Sequence, residues 1–388
     1  MLWAWLCLLF GLAMLGLTLV GYPLWIAWQS RSRPRRRQRS DWQPSVTVCL
    51  AVYNGAQDIE RKLLGLLSHD YPQDKLDVVV VDDGSDDDTV ARIRALADAR
   101  ITLLQQSQRG GKTAALNQAL QQARGEVLVL CDVRQRLEPG SINALCHALS
   151  DPATVVVGGR LCFEGEDSAA ASVGLYWRFE SWLRRAEAAC GSVPGVSGAL
   201  YAVRRADMPT IPPGLILDDV WVPMALAADG RMVDLESAAI AWDRPAPNLQ
   251  IEARRKRRTL AGNWQLFALQ PRWLLPGGHP LWARLVGHKL LRALLPIWFA
   301  FALLGNVGLA WQGQLLWLLL LQLIGHGMGL AAIALPGLKR MAPFKWAAAL
   351  EELNYYAVLG LLDHLRGGPG HLWSTTRLNA SIDRGPGV

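Results

Sequence analysis

The sequence predicts an α/β domain carried on transmembrane helices. Three observations point there: an uncharged apolar stretch at the start followed by an arginine cluster, β-rich runs alternating with helical stretches through the middle, and two apolar runs near the end. The 388 residues exceed one ordinary domain of about 100–200 residues and suit two folded parts. Hydrophobic residues make up 51% and charged residues 19%, against about 25% charged in soluble chains, which disfavours both disorder and a purely soluble fold. The 40 Lys+Arg and 33 Asp+Glu leave a net charge of +7, suited equally to an anionic membrane surface, a nucleotide-bearing substrate or nucleic acid. Cysteines at 7, 49, 131, 146, 162 and 190 form no C-x-x-C pair and read as small buried hydrophobes.

Leu2 to Trp28 carry no charged side chain, enough to cross the roughly 20-residue hydrocarbon core, so residues 1–30 read as a transmembrane helix. A cleaved leader would place its basic residues before the apolar run. Here Arg31, Arg33, Arg35, Arg36, Arg37 and Arg39 follow it, and residues 31–45 form a basic linker on the cytoplasmic side. Residues 46–270 hold the α/β domain and 271–292 an interfacial amphipathic helix. Residues 293–335 form a transmembrane hairpin returned to the cytoplasmic side by Lys339, Arg340 and Lys345. In 336–388, the stretch Phe344 to Leu365 is apolar but carries Glu351, Glu352 and Asp363, which predicts a re-entrant or interfacial segment before the tail.

Within the domain, the sequence predicts strands over Val46–Val52, Leu76–Val81, Ile101–Leu104, Val127–Cys131 and Val155–Leu161, in a mostly parallel sheet. Runs such as Val78-Val-Val-Val81, apolar without alternation, suit parallel strands buried on both faces. Ligands of such sheets bind at the carboxyl ends of the strands. There stand Asp82 and Asp83, then Asp132, and then Asp218 and Asp219 after the apolar Leu215-Ile-Leu217. Singly, each could cap a helix or make an Asx turn; five carboxylates at one edge demand a metal or a basic side chain, and hard oxygen ligands suit Mg²⁺ or Mn²⁺. Gly110-Gly-Lys-Thr113 imitates a phosphate loop, but Gln106 occupies the position of its first glycine, which argues against an ATPase.

Val48-Cys-Leu-Ala-Val-Tyr-Asn-Gly55, Asp82-Asp-Gly-Ser85, Gly110-Gly-Lys112 with Ala115-Leu-Asn117, Asp132, Ser197-Gly-Ala-Leu-Tyr201 and Asp218-Asp219 stand in the order and approximate spacing of family 2 glycosyltransferases. The chain resembles membrane-embedded members such as hyaluronan, cellulose and chitooligosaccharide synthases, over about Val46 to Gly262 and the flanking helices. The resemblance implies a GT-A fold, a nucleotide-sugar-binding, Rossmann-like cytoplasmic domain. It also implies that Ala51, Tyr53, Asp82 and Asp83 hold the nucleoside of a UDP-sugar, and that Lys112 lies near the diphosphate or donor sugar. By the same resemblance, Asp132 would tie Mg²⁺ or Mn²⁺ to the diphosphate, with Arg134 beside it, Asp219 would be the catalytic base, Arg258 would stabilise the leaving diphosphate, and Gly198, Asp218 and Arg255 would line the acceptor region.

Two positions depart from the family pattern. Arg134 replaces the second carboxylate of Asp-x-Asp, so Arg134 could itself contact phosphate. In Arg254-Arg-Lys-Arg-Arg258, Arg255 replaces the Gln and Thr259 the Trp of Gln-x-x-Arg-Trp, where the Trp contacts the acceptor sugar. By composition alone that basic run reads as a solvated or lipid-facing patch. The expected function is an inverting, metal-dependent glycosyltransferase of the inner or plasma membrane, extending a polysaccharide or, as the alternative, making a glycolipid by one transfer. A membrane scaffold with a degenerate transferase domain is the rival from another class. Nucleic acid is not an expected partner, because the arginine cluster adjoins a membrane helix without interleaved aromatic residues.

Overall fold

A computed structural model describes residues 2–164, 174–244 and 249–367; the tail beyond, part of the 336–388 segment, lies outside them. In chain order the helices are α1 (Leu2–Ser32), α2 (Ile59–Leu67), α3 (Thr89–Ala95), α4 (Lys112–Gln122), α5 (Ser141–Leu149), α6 (Gly174–Ala189), α7 (Asp218–Leu226), α8 (Leu249–Leu269), α9 (Trp282–Ala293), α10 (Leu295–Ala310), α11 (Leu316–Ala334) and α12 (Ala342–Leu365). The strands are β1 (Val46–Val52), β2 (Leu76–Asp82), β3 (Ile101–Gln105), β4 (Val127–Leu130), β5 (Arg136–Leu137), β6 (Thr154–Phe163), β7 (Tyr201–Arg204) and β8 (Met232–Asp243).

The eight strands form one sheet in the order β3-β2-β1-β4-β7-β6-β8-β5. The four strands β3 to β4 run parallel. The other half is mixed: β7 is antiparallel to both β4 and β6, β8 parallel to β6, and β5 antiparallel to β8. The expectation of a mostly parallel sheet thus holds for the first half. The alternation of side chains along a strand divides the core: Val79 and Val81 of β2 join one apolar cluster with α4, α7 and α8, while Val78 and Val80 join the other with α2 and α5. The expected strand over Leu215–Leu217 does not form; these residues are a loop leading into α7, so Asp218 and Asp219 stand in the first turn of a helix.

α1 and α11 are long and apolar enough to span a membrane, and α9 and α10 form a pair bent by 60° that passes the same test together. α1 and α10 touch backbone to backbone. A Cβ on Gly11 would stand 2.5 Å from the amide nitrogen of Ala302, and one on Gly305 would stand 2.4 Å from that of Leu8, the close approach that small residues allow in lipid-facing helices. The segment expected to be re-entrant or interfacial is one unbroken helix, α12, laid against α11 and α8. Its acidic residues are paired: Glu351 with His326 of α11, Glu352 with Lys339 and Lys256, and Asp363 with Arg257 in a two-pronged bond. Gly360 admits the α8 backbone, where a Cβ would lie 2.9 Å from the Ala261 nitrogen.

The basic linker is not a free flank. From Arg33 it runs extended, so alternate side chains share a face: Arg35, Arg37 and Arg39 turn to the domain, while Arg31, Arg33 and Arg36 are exposed. Arg35 meets Asp151 at 2.8 Å, Arg37 grips Asp234 through Nε at 2.7 Å and its terminal nitrogen at 2.8 Å, and Arg39 reaches Glu236 at 2.6 Å and Asp234 at 3.3 Å. Asp234 is fully buried. Removing one partner from such a buried set leaves uncompensated charge, at a cost of about 3–5 kcal/mol. Asp234→Ala should therefore lower the thermal unfolding midpoint of the detergent-solubilised protein, whereas Arg36→Ala should leave it unchanged; equal midpoints for the two variants would refute the strap.

Candidate active site

The carboxyl ends of β1, β2 and β4 deliver Tyr53, Asp82 with Asp83, and Asp132 to one edge, as parallel strands must. Ala51, half-buried near the end of β1, precedes the turn. At Asn54 (φ 50°) the chain turns sharply, and its amide donates to Ser85 Oγ at 2.8 Å, joining the β1 turn to the Asp82-Asp-Gly-Ser85 turn. Asp82 accepts the Ser85 amide on Oδ2 at 3.1 Å; its Oδ1 is buried and has no hydrogen-bond partner among the described residues. An orphaned buried acceptor is costly, and here it suits the N–H or O–H of a nucleoside. Asp83 is already engaged. The Gly110 and Gly111 amides donate to its Oδ1 at 2.7 and 3.0 Å, so the glycine loop folds around a carboxylate rather than a phosphate. Arg109 stacks over the Tyr53 ring at 4.0 Å, a contact that its place in the loop sequence did not suggest.

The five carboxylates do not form one cluster, and among the described residues no three such ligands could hold a metal together. What bridges two of them is Lys112, at the start of α4, whose Nζ lies 3.1 Å from both Asp132 Oδ1 and Asp218 Oδ1. Gly111 (φ 87°) makes the left-handed turn that starts this helix. Burial pushes the lysine down, but Asp132, Asp218 and Asp219 outweigh it and raise its affinity for the proton. Burial likewise pushes Asp132 up, and Lys112 with Arg258 and Arg134 overrides it to leave the carboxyl below its usual value. Asp218 is buried and also accepts the Tyr201 hydroxyl at 3.3 Å, so it supports the site from behind instead of lining an acceptor region. Asp132 keeps a 42% exposed side chain. Its chemistry fits a divalent cation shared with the phosphates of a bound nucleotide rather than one caged by protein alone.

Asp219 Oδ2 accepts the Gly198 amide at 2.9 Å, which places the Ser197-Gly-Ala-Leu-Tyr201 turn directly behind it. Burial and then Asp218 raise its pKa, against the opposing charges of Lys112, Lys289 and Arg184. Arg134 is committed elsewhere: it forms a two-pronged pair with Asp243 at the end of β8, with Nε to Oδ1 at 2.7 Å. The partner Asp243 closes an apolar strand just as Asp82 does, and that pattern could have flagged it. The helical period of α8 sorts the basic run. Lys256 and Arg257 face α12, Arg254 is exposed, and Arg255 and Arg258, three apart, face the site. Arg258 acts on Asp132, and Arg255 is half-buried near Arg134 and Asp243. The run is therefore not a uniform lipid-facing patch. Thr259 is exposed, and its hydroxyl donates to the Arg255 carbonyl at 3.0 Å.

A parallel nucleotide-binding half joined to a mixed half, with carboxylates at the strand ends and a helix-borne aspartate behind them, is the GT-A architecture of nucleotide-sugar-dependent transferases. Residues 47–208 match the model of glycosyl transferase family 2. The chain is similar to glycosyltransferase AglE of Haloferax volcanii, 36% identical over 91 residues, 23% of this chain and 30% of that protein. It also resembles the probable glycosyltransferase YdaM of Bacillus subtilis, 23% identical over 60% of this chain and 58% of the relative. The matches thus span about a third to under two thirds of these curated relatives. The mannosyltransferase PcManGT of Pyrobaculum calidifontis, solved with GDP-Man and Mn²⁺, shares the fold over 92% of this chain and 99% of its own, with a TM-score of 0.72 and 24% identity.

The raised pKa of Asp219 has a consequence for stability. A carboxyl whose folded value lies above its unfolded value stabilises the fold below the unfolded pKa, and that contribution is lost as pH rises through the folded one. Asp219→Asn, which cannot ionise, should unfold at a higher temperature than the parent near neutral pH, with the gap closing as the pH falls into the ordinary carboxylate range. A midpoint below the parent's at neutral pH would contradict this.

Proposed function

We propose that the protein is an inverting glycosyltransferase moving a sugar from a nucleotide donor to an acceptor at the cytoplasmic face of the membrane it spans. The observation that carries this reading is the Asp219 carboxyl, held by the Gly198 amide and raised by burial and Asp218, beside a lysine that reaches across to Asp132. A carboxylate with raised pKa is suited to general base catalysis. Asp219 takes the proton of an acceptor hydroxyl as its oxygen bonds to the anomeric carbon. The bond from that carbon to the diphosphate oxygen breaks on the opposite face, and its electron pair leaves with the nucleoside diphosphate. One displacement inverts the configuration.

Arg258 and Lys112 are placed to offset the charge that develops on the diphosphate. The unpartnered Asp82 Oδ1 and the Tyr53 ring under Arg109 hold the nucleoside, a UDP-sugar by resemblance to the synthases. Asp132 would hold Mg²⁺ or Mn²⁺ with the donor phosphates, the ion supplying charge neutralisation there; GDP-Man and Mn²⁺ in the mannosyltransferase of like fold support this. Arg134, paired with Asp243, is withdrawn from phosphate binding.

Of the two acceptors expected from the sequence, a lipid suits the site better than a growing polysaccharide. Thr259 is exposed and bonded back to its own helix, and it offers a sugar chain no aromatic face at the position where the synthases have Trp. The domain lies on the side of the exposed Arg31, Arg33 and Arg36, which supports a cytoplasmic, inner- or plasma-membrane location.

Asp219→Asn should leave nucleotide-sugar binding within a few-fold while turnover, read as nucleotide released per enzyme, falls by about 10²-fold or more. Arg258→Ala should lose turnover similarly and Arg254→Ala should not; near-normal turnover in Asp219→Asn sinks the assignment. Chelation with excess EDTA should abolish turnover and weaken nucleotide diphosphate binding, and Asp132→Ala should reproduce both effects. Undiminished activity in the chelator would refute the metal at Asp132 and leave its charge to Lys112 and the neighbouring arginines.

A further inference from the structure

The loop that carries Asp132 is held almost residue by residue, and by three elements. Asp132 Oδ1 meets Lys112 of α4 at 3.1 Å. The carbonyl of Arg134 accepts Arg61 Nη2 at 3.2 Å and that of Gln135 accepts Lys62 Nζ at 2.9 Å, both from α2. The loop is also fastened to β8. Arg134 gives Asp243 its two-pronged bond, and Gln135 Nε2 donates to Oδ2 of the same carboxylate at 3.0 Å. Arg136 and Leu137, as β5, then pair with Trp242 and Ala241, and the Glu138 amide donates to the Ile240 carbonyl at 2.9 Å. From Arg134 to Glu138 every residue is thus tied to the end of β8.

Asp243 is the anchor of this arrangement. Its side chain is 3% exposed, and Gln135 and Lys62 are also buried. A carboxylate withdrawn from water needs donors and a counter-charge. Arg134 and Gln135 supply both, and a two-pronged arginine bond fixes direction as well as distance. An aspartate at 134, as in Asp-x-Asp, would set a second carboxylate against Asp243 and deprive it of this cation. The arginine and its aspartate are therefore a matched set, and position 134 serves as a fastening two residues from Asp132.

We propose that Arg134 is a positioning residue: its pair with Asp243 fixes the loop so that Asp132 is held ready for the cation and diphosphate of the donor. This rests on the transferase reading and adds to it how an ion site works where the second carboxylate of Asp-x-Asp is missing. Rigidity of the loop takes the place of the second ligand, and restoring an acid at 134 alone removes the rigidity.

The test uses the full-length protein in a neutral detergent and measures binding of UDP and GDP with Mn²⁺, of the same nucleotides in EDTA, and of uridine and guanosine, which carry no phosphate. Groups that orient a metal ligand from outside set metal affinity by roughly 10–100-fold, so Arg134→Gln should weaken Mn²⁺-dependent nucleotide binding about tenfold and leave nucleoside binding within about twofold. Arg134→Lys keeps the charge without the two-pronged bond; it should show the same split at smaller size, and it decides the matter if Arg134→Gln does not fold. Arg134→Asp should bind Mn²⁺ and nucleotide more weakly than the parent even though it recreates Asp-x-Asp. Adding Asp243→Arg to it should recover much of the loss, the signature of a coupled pair. Tighter binding by Arg134→Asp than by the parent overturns the proposal and makes position 134 an ion-ligand position. Unchanged binding in Arg134→Gln, or an equal loss for nucleoside and nucleotide, overturns it as well. Parent binding that EDTA leaves unchanged overturns it while the transferase reading stands; a parent that binds neither nucleotide fails the transferase reading and the proposal with it.

Discussion

The Lys112 ammonium between Asp132 and Asp218 sets the terms for everything around it. Carboxylates brought to one edge by parallel strands and a helix start would repel one another, and each would rise toward neutrality. One buried cation bridging two of them lets Asp132 stay ionised and exposed for a ligand and Asp218 stay buried beside Tyr201. Asp219, without so close a partner, is left with a raised pKa. Two carboxylates of adjacent sequence number are thereby given opposite work by one lysine, a division of labour that environment rather than residue type decides. The glycine before that lysine matters for the same reason, because its left-handed turn starts α4 where the side chain can reach both acids.

The parallel half of the fold was legible because its strands are apolar throughout, and a chain so written has few alternatives to a doubly covered sheet. Leu215-Ile-Leu217 misled for a related reason. Three apolar residues before an acidic pair look like a strand end, but their burial comes from packing against α8, whose Gly262 leaves room for Leu217. The acidic residues of Phe344–Leu365 misled in the other direction. Charge in an apolar helix was read as exposure to the membrane surface, yet each acid meets a base contributed from elsewhere in the chain. Such pairings are non-local and leave no local periodicity to read.

The candidate site divides the same way. Residues at strand ends, Tyr53, Asp82, Asp83 and Asp132, follow from the pattern of the strands themselves. Their individual states do not: Asp83 is consumed by loop amides while Asp82 keeps an open acceptor, and only the turn geometry separates them. Arg134 shows the limit of reading substitutions singly. A basic residue where a ligand carboxylate is expected suggests a new phosphate contact, but Asp243, a hundred residues on, claims it.

The backbone contact between α1 and α10 bears on how the chain reaches this state. The groove that receives Gly305 is formed by α1, and its partner α10 follows only after the whole α/β domain in chain order. Until then the Gly11 face of α1 lacks α10, while the arginines after α1 already have Asp151 and Asp234 of the α/β domain within reach. If domains fold in order of synthesis, the domain is strapped to α1 before α10 and α12 exist to complete the packing. α12 then packs over α8, the helix carrying Arg258, so the electrostatics of the site depend on a helix about a hundred residues further along the chain.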